Sequence, residues 1–309
     1  MQHLLNLLAA IALLVWGTYI VRTGVLRLFG DTLRQVISHS VGNRVRAMLA
    51  GIAVTSVVQS GTATCLIVAS FVGRGLILTS AALAVMLGAD VGTSLMVVVF
   101  SFDLSWLSPM LIFAGVVLFV SQEKKTAGRI GRVIIGVGLI TLALQLIGAA
   151  SKPLIESVTV RQLLAALPSD ILLDIVVGAL LTVVSYSSLA IVLLIAALAG
   201  GGIVPATVAL GLVLGANVGS GILAVLSTSQ ADVATRRLPI GNLIFKFSGC
   251  LLAIPLLPVA HVWLQTYLGS VPEQVVAFHL AFNVGMAVLF ISVTTPLANV
   301  LERWFKTPP

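Results

Sequence analysis

The sequence predicts an all-α protein that crosses a membrane several times. Of its 309 residues, 59% are hydrophobic and 9% are charged, and the mean hydropathy is +1.16. Apolar runs of 18 or more residues recur along the chain. Because about 20 helical residues span a hydrocarbon layer of roughly 30 Å, such runs are typical of transmembrane helices. The pattern predicts about seven full crossings and two shorter, interrupted segments.

The predicted crossings follow one another with short polar connections. The first has no basic start and no small-residue cleavage site, so we expect it to remain in the mature chain. After it, residues 24–47 place apolar residues at helical spacing with arginines between them. This stretch is expected to lie along the cytoplasmic membrane surface. The crossings are predicted near residues 4–22, 76–100, 106–121, 130–150, 203–227, 238–258 and 273–299.

Two apolar segments, 48–72 and 171–200, are interrupted by glycines and clustered hydroxyls. Each is either a poor crossing or a re-entrant hairpin that enters and leaves on one side. If both are hairpins, thirteen Lys and Arg residues fall on one side of the membrane and only Lys152 and Arg161 on the other. The positive-inside rule then places the basic side on the cytoplasmic face of a bacterial inner membrane, with the N-terminus outside and the C-terminus inside.

An internal repeat links the two hairpins. Residues 51–94 align without gaps on residues 178–221, with 16 identities in 44 positions that include glycines and hydroxyls. Three predicted crossings separate equivalent loops, so the copies have opposite orientation, as in the inverted repeats of secondary transporters. The expected division is a first repeat over 1–127, a second over 128–260, and a final crossing with a cytoplasmic tail over 261–309.

The hairpin tips carry the residues predicted to bind an anion. A helix start within the membrane offers free N–H donors and a partial positive charge to an oxyanion. Hydroxyls add donors, although in membrane helices they also bond back to the i−4 carbonyl or join neighbouring helices. The predicted anion-binding residues are Gln59, Ser60, Gly61, Thr62, Ser187 and Ser188.

Oxygen atoms near the same tips indicate a cation site. Hydroxyl, carboxylate and carbonyl oxygens suit a hard cation such as Na⁺, and no other metal is predicted. Asp90 in "GADVGT" aligns with Asn217 in "GANVGS", which favours a cation or proton site in unequal halves over a local cap at a helix break. The predicted cation-binding residues are Thr55, Gln59, Ser185, Asp90, Thr93, Asn217 and Ser220.

Further polar residues inside predicted crossings are accessory candidates. Lys246 in "NLIFK" either offsets the charge of an anion, or snorkels toward the membrane surface, or pairs with an acid. His279 and Asn283 in "HLAFN" lie one turn apart, and a helix–helix hydrogen bond is favoured for His279 over a proton relay. The accessory residues are Tyr186, Asn242, Lys246, His279 and Asn283.

These motifs resemble those of the sodium/phosphate cotransporter family, the type II transporters and their bacterial relatives. Members carry two inverted repeats, each with a Q-S-S-S hairpin followed by a G-A-N/D-x-G-T helix start. The similarity runs from "LLVWGTYIVRTG" to "FHLAFN", and "FDLSWLSPMLIF" is similar to the bacterial branch. It implies that inorganic phosphate binds between the hairpin tips and that Na⁺ is the coupling ion. No cofactor is expected. The expected partners are phosphate, Na⁺ and membrane lipid, and a homodimer is left open. Nucleic acid is not expected as a partner.

The chain departs from the family pattern at both hairpins. The first motif is Gln59-Ser60-Gly61-Thr62, and in the second Tyr186 stands where the repeat would place a glutamine. These changes bear on the number of Na⁺ sites and on Na⁺ dependence itself. Many bacterial relatives continue into a helical domain that resembles the phosphate-uptake regulator, and the expectation here is either the branch that lacks this domain or a chain that was cut before it.

Three alternatives compete with a Na⁺-coupled phosphate transporter. The first is phosphate export, or transport of another oxyanion with weak or no Na⁺ coupling. The second is an intramembrane hydrolase with a serine nucleophile in "QSG", which is disfavoured because His261 and His279 lie far along the chain without a supporting acid pattern. The third is a signalling or scaffold protein, which would move no substrate. The sequence favours a transporter and not an enzyme.

Overall fold

The computed structural model describes residues 2–40, 42–102, 105–122, 125–157 and 170–306. Arg161, one of the two basic residues assigned to the outer side, lies outside these ranges. The described part of the chain is helical and contains no strand. This confirms the predicted all-α class.

Thirteen α-helices are described, and three short 3-10 turns join some of them. They are α1 Gln2–Ser40, α2 Arg44–Val58, α3 Gly61–Gly73, α4 Thr79–Ser101, α5 Ser108–Ser121, α6 Thr126–Glu156, α7 Ile171–Ser185, α8 Ser188–Gly200, α9 Ala206–Ser227, α10 Val233–Ala253, α11 Leu257–Tyr267, α12 Val271–Phe290 and α13 Thr294–Trp304.

Six stretches of helix are long and apolar enough to cross a membrane. They include α10 continued through α11 and α12 continued through α13. The segment predicted as a crossing at 106–121 forms the shorter α5, which has 14 residues. A polytopic membrane protein is therefore confirmed, with six long apolar helical stretches and this shorter helix in the described chain.

The N-terminal helix is longer than the predicted crossing. Residues 24–40, predicted to lie along the membrane surface, continue α1 without a break. Gly17 and Gly24 lie within this helix and both face α6. A Cβ atom on Gly17 would lie 3.0 Å from Ile140, and one on Gly24 would lie 2.7 Å from Val133. The missing side chains let α1 and α6 pack closely along their length. At 39 residues, α1 is about 58 Å long.

The segments predicted as hairpins are two helix–turn–helix pairs, α2–α3 and α7–α8. In each pair the first helix has 15 residues and the second has 13, so the arms are about 20–23 Å long. A helix of this length is shorter than the roughly 30 Å hydrocarbon layer. The arms therefore have the dimensions of a re-entrant hairpin.

Helices α4 and α9 form the centre of the described structure and are its most deeply buried long helices. Helix α2 packs along α4, and α7 packs along α9. Glycines set both contacts: a Cβ atom at Gly88 of α4 would meet the backbone of Met48, and one at Gly215 of α9 would meet the backbone of Ile175. These two positions are 127 residues apart, so the aligned glycines of the two "LGA" motifs have the same packing role.

The second arms of the pairs contact two further helices. Helix α3 packs on α10, and α8 packs on α12. Helix α10 also contacts α9, whereas α12 also contacts α4. At the start of α10, the Thr235 hydroxyl and backbone N–H hydrogen bond to the exposed Asp232 carboxylate, which lowers its pKa. Thus α10 and α12 each join a hairpin arm to a central helix.

Replacing Gly88 by valine should disrupt the contact between α2 and α4. The new side chain has no space against the Met48 backbone, so we expect a loss of about 1–3 kcal/mol or more and a lower thermal unfolding midpoint in detergent. The matched control is Gly285→Val in α12, where a Cβ atom meets nothing within 4 Å. Equal midpoints for the two variants would contradict this packing role.

Candidate functional site

The two hairpin turns have the same backbone conformation. Gln59, the C-cap of α2, has φ 58° and ψ 27°, and Tyr186, the C-cap of α7, has φ 55° and ψ 23°. This left-handed conformation is uncommon for residues other than glycine. The next residues, Ser60 and Ser187, are extended and begin α3 and α8. The turns therefore reverse the chain in the same way at positions 127 residues apart.

Ser60 and Ser187 are helix N-caps. The Ser60 hydroxyl oxygen accepts a hydrogen bond from Ala63 N–H at 3.2 Å, and that of Ser187 accepts one from Ala190 N–H at 3.1 Å. In each case the hydroxyl hydrogen stays available for donation. A helix start with a free O–H and unpaired backbone N–H groups can bind an oxyanion.

Both turns line one cavity of about 820 Å³ against α1. Gln59 comes from the first turn, and Ser185 to Ser187 come from the second. Apolar and aromatic side chains of α1 and α7 form most of the remaining wall. The cavity therefore places predicted anion-binding residues from both repeats around one space that is lined mainly by hydrocarbon.

Arg22 of α1 supplies a positive charge to this cavity. Its Nη1 atom donates to the Tyr186 carbonyl oxygen at 3.1 Å, and its guanidinium lies 5.6 Å from the centre of the Tyr19 ring. A guanidinium has five N–H donors, so this bond leaves several for an anion. Both contacts hold the charge beside the second turn.

Gln59 adds a buried polar atom next to the same cavity. Its Oε1 atom is shielded from solvent and has no hydrogen-bond partner among the described residues. A buried unpaired acceptor is costly, so such an atom points to a missing donor. A protonated phosphate oxygen or a bound cation would satisfy it.

A second group of polar residues lies buried between α4, α10 and α12. Lys246 Nζ contacts Asp90 Oδ1 at 2.7 Å, and the two side chains are 3% and 11% exposed. Asn283 Nδ2 donates to Ser94 Oγ at 2.8 Å, and the Ser94 hydroxyl can donate to the Asp90 carbonyl at 3.0 Å. We call Asp90, Ser94, Lys246, His279 and Asn283 the buried polar cluster.

Gly61 connects the first turn to the buried polar cluster. A Cβ atom on Gly61 would lie 3.7 Å from Asp90 Oδ1 and 3.5 Å from Thr93 Oγ1. The start of α3 therefore lies beside the Asp90 carboxylate, two residues beyond the Gln59 that lines the cavity. The Gln59–Gly61 turn thus stands between the cavity and the ion pair.

Other predicted site residues mainly make local hydrogen bonds. The hydroxyls of Thr55 and Thr64 are 2.9 Å apart and join α2 to α3. Thr93 donates to the carbonyl of Ala89 at 3.1 Å. The first contact joins two helices and the second is an i−4 bond within α4, as the alternative interpretation of membrane hydroxyls expects.

The polar residues of the second repeat also make local hydrogen bonds. Asn217 Nδ2 donates to the Val213 carbonyl at 3.0 Å, and Ser220 donates to that of Asn217 at 2.7 Å. Thr62 and Ser188 lie half-buried in the first turns of α3 and α8. Asn242 is buried one turn before Lys246, and neither its Oδ1 atom nor Nδ1 of His279 has a hydrogen-bond partner among the described residues.

Two residues of the site were not predicted. Arg22 ends the apolar run of the first predicted crossing, and an ionisable residue within a crossing is a signal that marks functional residues in membrane proteins. Ser94 follows Thr93 directly in the "GADVGTS" motif but has no special feature of its own. Its role depends on α12, which is 185 residues away in the chain and whose His279 carbonyl lies 3.4 Å from its hydroxyl.

The described residues contain no group of three or more His, Cys, Asp and Glu side chains close enough together to hold a metal ion. Cys65 and Cys250 are both buried and free. The polar chemistry described here is therefore that of hydroxyls, amides, one ion pair and an arginine.

Comparison with known proteins identifies the family. Residues 13–149 and 154–295 match the Na⁺/Pi-cotransporter family. The chain belongs to the Na⁺/Pi-cotransporter family. This confirms the resemblance carried by the "QSGT" and "GADVGT" motifs. No solved structure matches the chain.

Curated relatives align with all or nearly all of the chain. The protein named "Putative inorganic phosphate export protein YjbB" of Escherichia coli strain K12 is 48% identical over 313 residues, and its Salmonella typhimurium counterpart is 47% identical over 310. The chain spans 57% of the length of each. The uncharacterized protein YqeW of Bacillus subtilis is 23% identical over 303 residues, which are 98% of this chain and 97% of that protein.

Neutralising only Asp90 should destabilise the protein more than neutralising both members of the ion pair. In Asp90→Asn, the Lys246 ammonium stays buried without a counter-charge, which costs about 3–5 kcal/mol. The double variant Asp90→Asn/Lys246→Gln should recover much of this loss. Thermal unfolding of the single and double variants in detergent measures the coupling. Additive losses would mean that the two side chains do not depend on each other.

Proposed function

We propose that this chain transports inorganic phosphate across the membrane and binds it in the cavity between α1 and the two hairpin turns. The observation that carries the proposal is the convergence of Arg22, Gln59 and the Ser187 cap on one cavity. Membership of the Na⁺/Pi-cotransporter family supports phosphate as the substrate.

The cavity has the chemistry that a phosphate ion requires. A guanidinium can form two parallel hydrogen bonds to phosphate oxygens, and hydroxyls at helix starts can donate to the others. The apolar walls lower the local dielectric constant, which strengthens these charged hydrogen bonds. The Arg22 guanidinium would repel a cationic solute, so the polar part of the cavity favours a small oxyanion over a cation.

We further propose that the two hairpins belong to repeats of opposite orientation. Matching turn geometry at an offset of 127 residues, arms shorter than a crossing and two successive family-matching stretches all support this. Repeats of this kind allow alternating access to a site between them. The hairpins would then move relative to each other around the bound phosphate.

Export is a second candidate for the direction of transport. It is favoured by relatives at 47–48% identity that are named as phosphate export proteins. Na⁺ coupling stays a prediction from the family, and the cytoplasmic placement of the basic side stays a prediction from the positive-inside rule. A homodimer stays an open alternative. The cavity itself has the same residues for either direction.

Phosphate flux into proteoliposomes tests the proposal. Purified protein should move radiolabelled phosphate faster than protein-free liposomes, and unlabelled phosphate should compete better than chloride. Imposing Na⁺, K⁺ and proton gradients in turn tests coupling, because equal flux under all three contradicts a role for Na⁺. If verified folded protein gives no flux under any gradient, the transport proposal fails.

Arg22→Ala should reduce phosphate flux at least about tenfold, since one charged hydrogen bond contributes about 1.5–3 kcal/mol. The matched control is Arg34→Ala, an exposed arginine on the same helix whose contact at 3.9 Å is with an exposed Asp31. Initial rates at several phosphate concentrations separate affinity from turnover. If both variants lose flux equally, Arg22 has no special role in anion binding.

A further inference from the structure

The pairing of Asp90 with Lys246 bears on which cation this transporter uses. Asp90 is one of the residues whose oxygen atoms the sequence predicts as Na⁺ ligands. In the structure, the position next to its Oδ1 atom is taken by Lys246 Nζ at 2.7 Å. The lysine stem packs against α9, where a Cβ atom on Gly221 would lie 3.1 Å from Lys246 Cδ. The ammonium is therefore held at the carboxylate by both its charge and its stem.

The Asp90–Lys246 pair is neutral and requires no further cation. Asp90 and Lys246 together are neutral, and both are buried. A Na⁺ ion added to the same site would leave a net positive charge in a medium of low dielectric constant, which is unfavourable. No other salt bridge between described residues involves either side chain. The carboxylate thus has the single counter-charge that it requires.

The two charges are also absent together from the motifs that resemble their own. Asp90 in "GADVG" aligns with Asn217 in "GANVG", and Lys246 in "NLIFK" matches Asn283 in "HLAFN". One set of motifs therefore carries a carboxylate and an ammonium, whereas the other carries two amides. This pattern is expected if each buried charge requires the other as its counter-charge.

We propose that the Lys246 ammonium is the resident cation of the Asp90 site and occupies the place of a coupling Na⁺. The inference deepens the proposed phosphate transport, because it specifies that the Asp90 site contributes no Na⁺ dependence to it. It follows that removal of the ammonium, with the carboxylate kept, creates a Na⁺ site. Asp90 Oδ1, with Thr93 Oγ1 near the start of α3, would supply oxygen ligands for the ion.

The test is phosphate flux by Lys246→Ala in proteoliposomes, compared in Na⁺ and in K⁺ at a fixed pH of about 8. We expect the ratio of flux in Na⁺ to flux in K⁺ to rise at least about tenfold over the wild-type ratio. In the matched variant Asp90→Asn/Lys246→Ala, which lacks the carboxylate, the ratio should return to the wild-type value. An unchanged ratio in Lys246→Ala overturns the inference, since the carboxyl group then takes up a proton instead.

Thermal unfolding of the same detergent-purified variants gives a readout that does not depend on transport. Na⁺ should raise the midpoint of Lys246→Ala more than K⁺ does, because a ligand that binds only the folded state stabilises it. The double variant should show no such difference. Absence of wild-type flux would contradict the proposed function alone, whereas absence of a Na⁺-specific midpoint shift in folded Lys246→Ala would contradict the inference.

Discussion

The turns at Gln59 and Tyr186 are the constraint on which the rest of the site depends. A helix that ends inside an apolar environment leaves backbone groups unpaired, and these must be satisfied by the protein or by a ligand. Both breaks use a left-handed residue followed by a serine cap, which satisfies part of this demand. The backbone N–H groups that remain unpaired at the starts of α3 and α8 can donate hydrogen bonds to an oxyanion.

The glycine contacts explain how the turns are held in place. Because Gly88 and Gly215 let α2 and α7 lie directly on the central helices, the first arm of each pair is fixed to the core. The second arms are fixed instead by α10 and α12. Each turn is thus positioned between two different supports, an arrangement that would allow one arm to shift while the other stays in place.

Charge is distributed unevenly between the two halves of the site. The cavity holds the cationic Arg22 at the second turn, whereas the ion pair of Asp90 and Lys246 lies behind the first. A cavity with a free guanidinium attracts an anion, and a neutral ion pair beside it does not oppose this. The asymmetry that the sequence shows at Gln59 and Tyr186 therefore extends to the charged groups around them.

Much of the fold and part of the site follow from sequence. The hydrophobic runs predicted the all-α membrane class. The repeat offset predicted the positions of both turns, because the aligned glycines and hydroxyls lie at helix contacts and helix starts in both copies. The continuation of α1 beyond Gly24 was not predicted. Gly24 packs against Val133, and this contact joins segments that are far apart in the sequence. The pairing of Asp90 with Lys246 and the meeting of Arg22 with Tyr186 join residues 156 and 164 positions apart, and no local pattern encodes them.

Phosphate protection of engineered cysteines tests the shared cavity most directly. Val15→Cys on α1 and Val184→Cys on α7 place thiols on two of its walls, while Val288→Cys on the exposed face of α12 is the matched control and the native cysteines are buried. If the cavity binds phosphate, phosphate slows alkylation of the first two and leaves Val288→Cys unchanged, whereas chloride slows none. Equal alkylation rates with and without phosphate at both cavity positions would contradict the account.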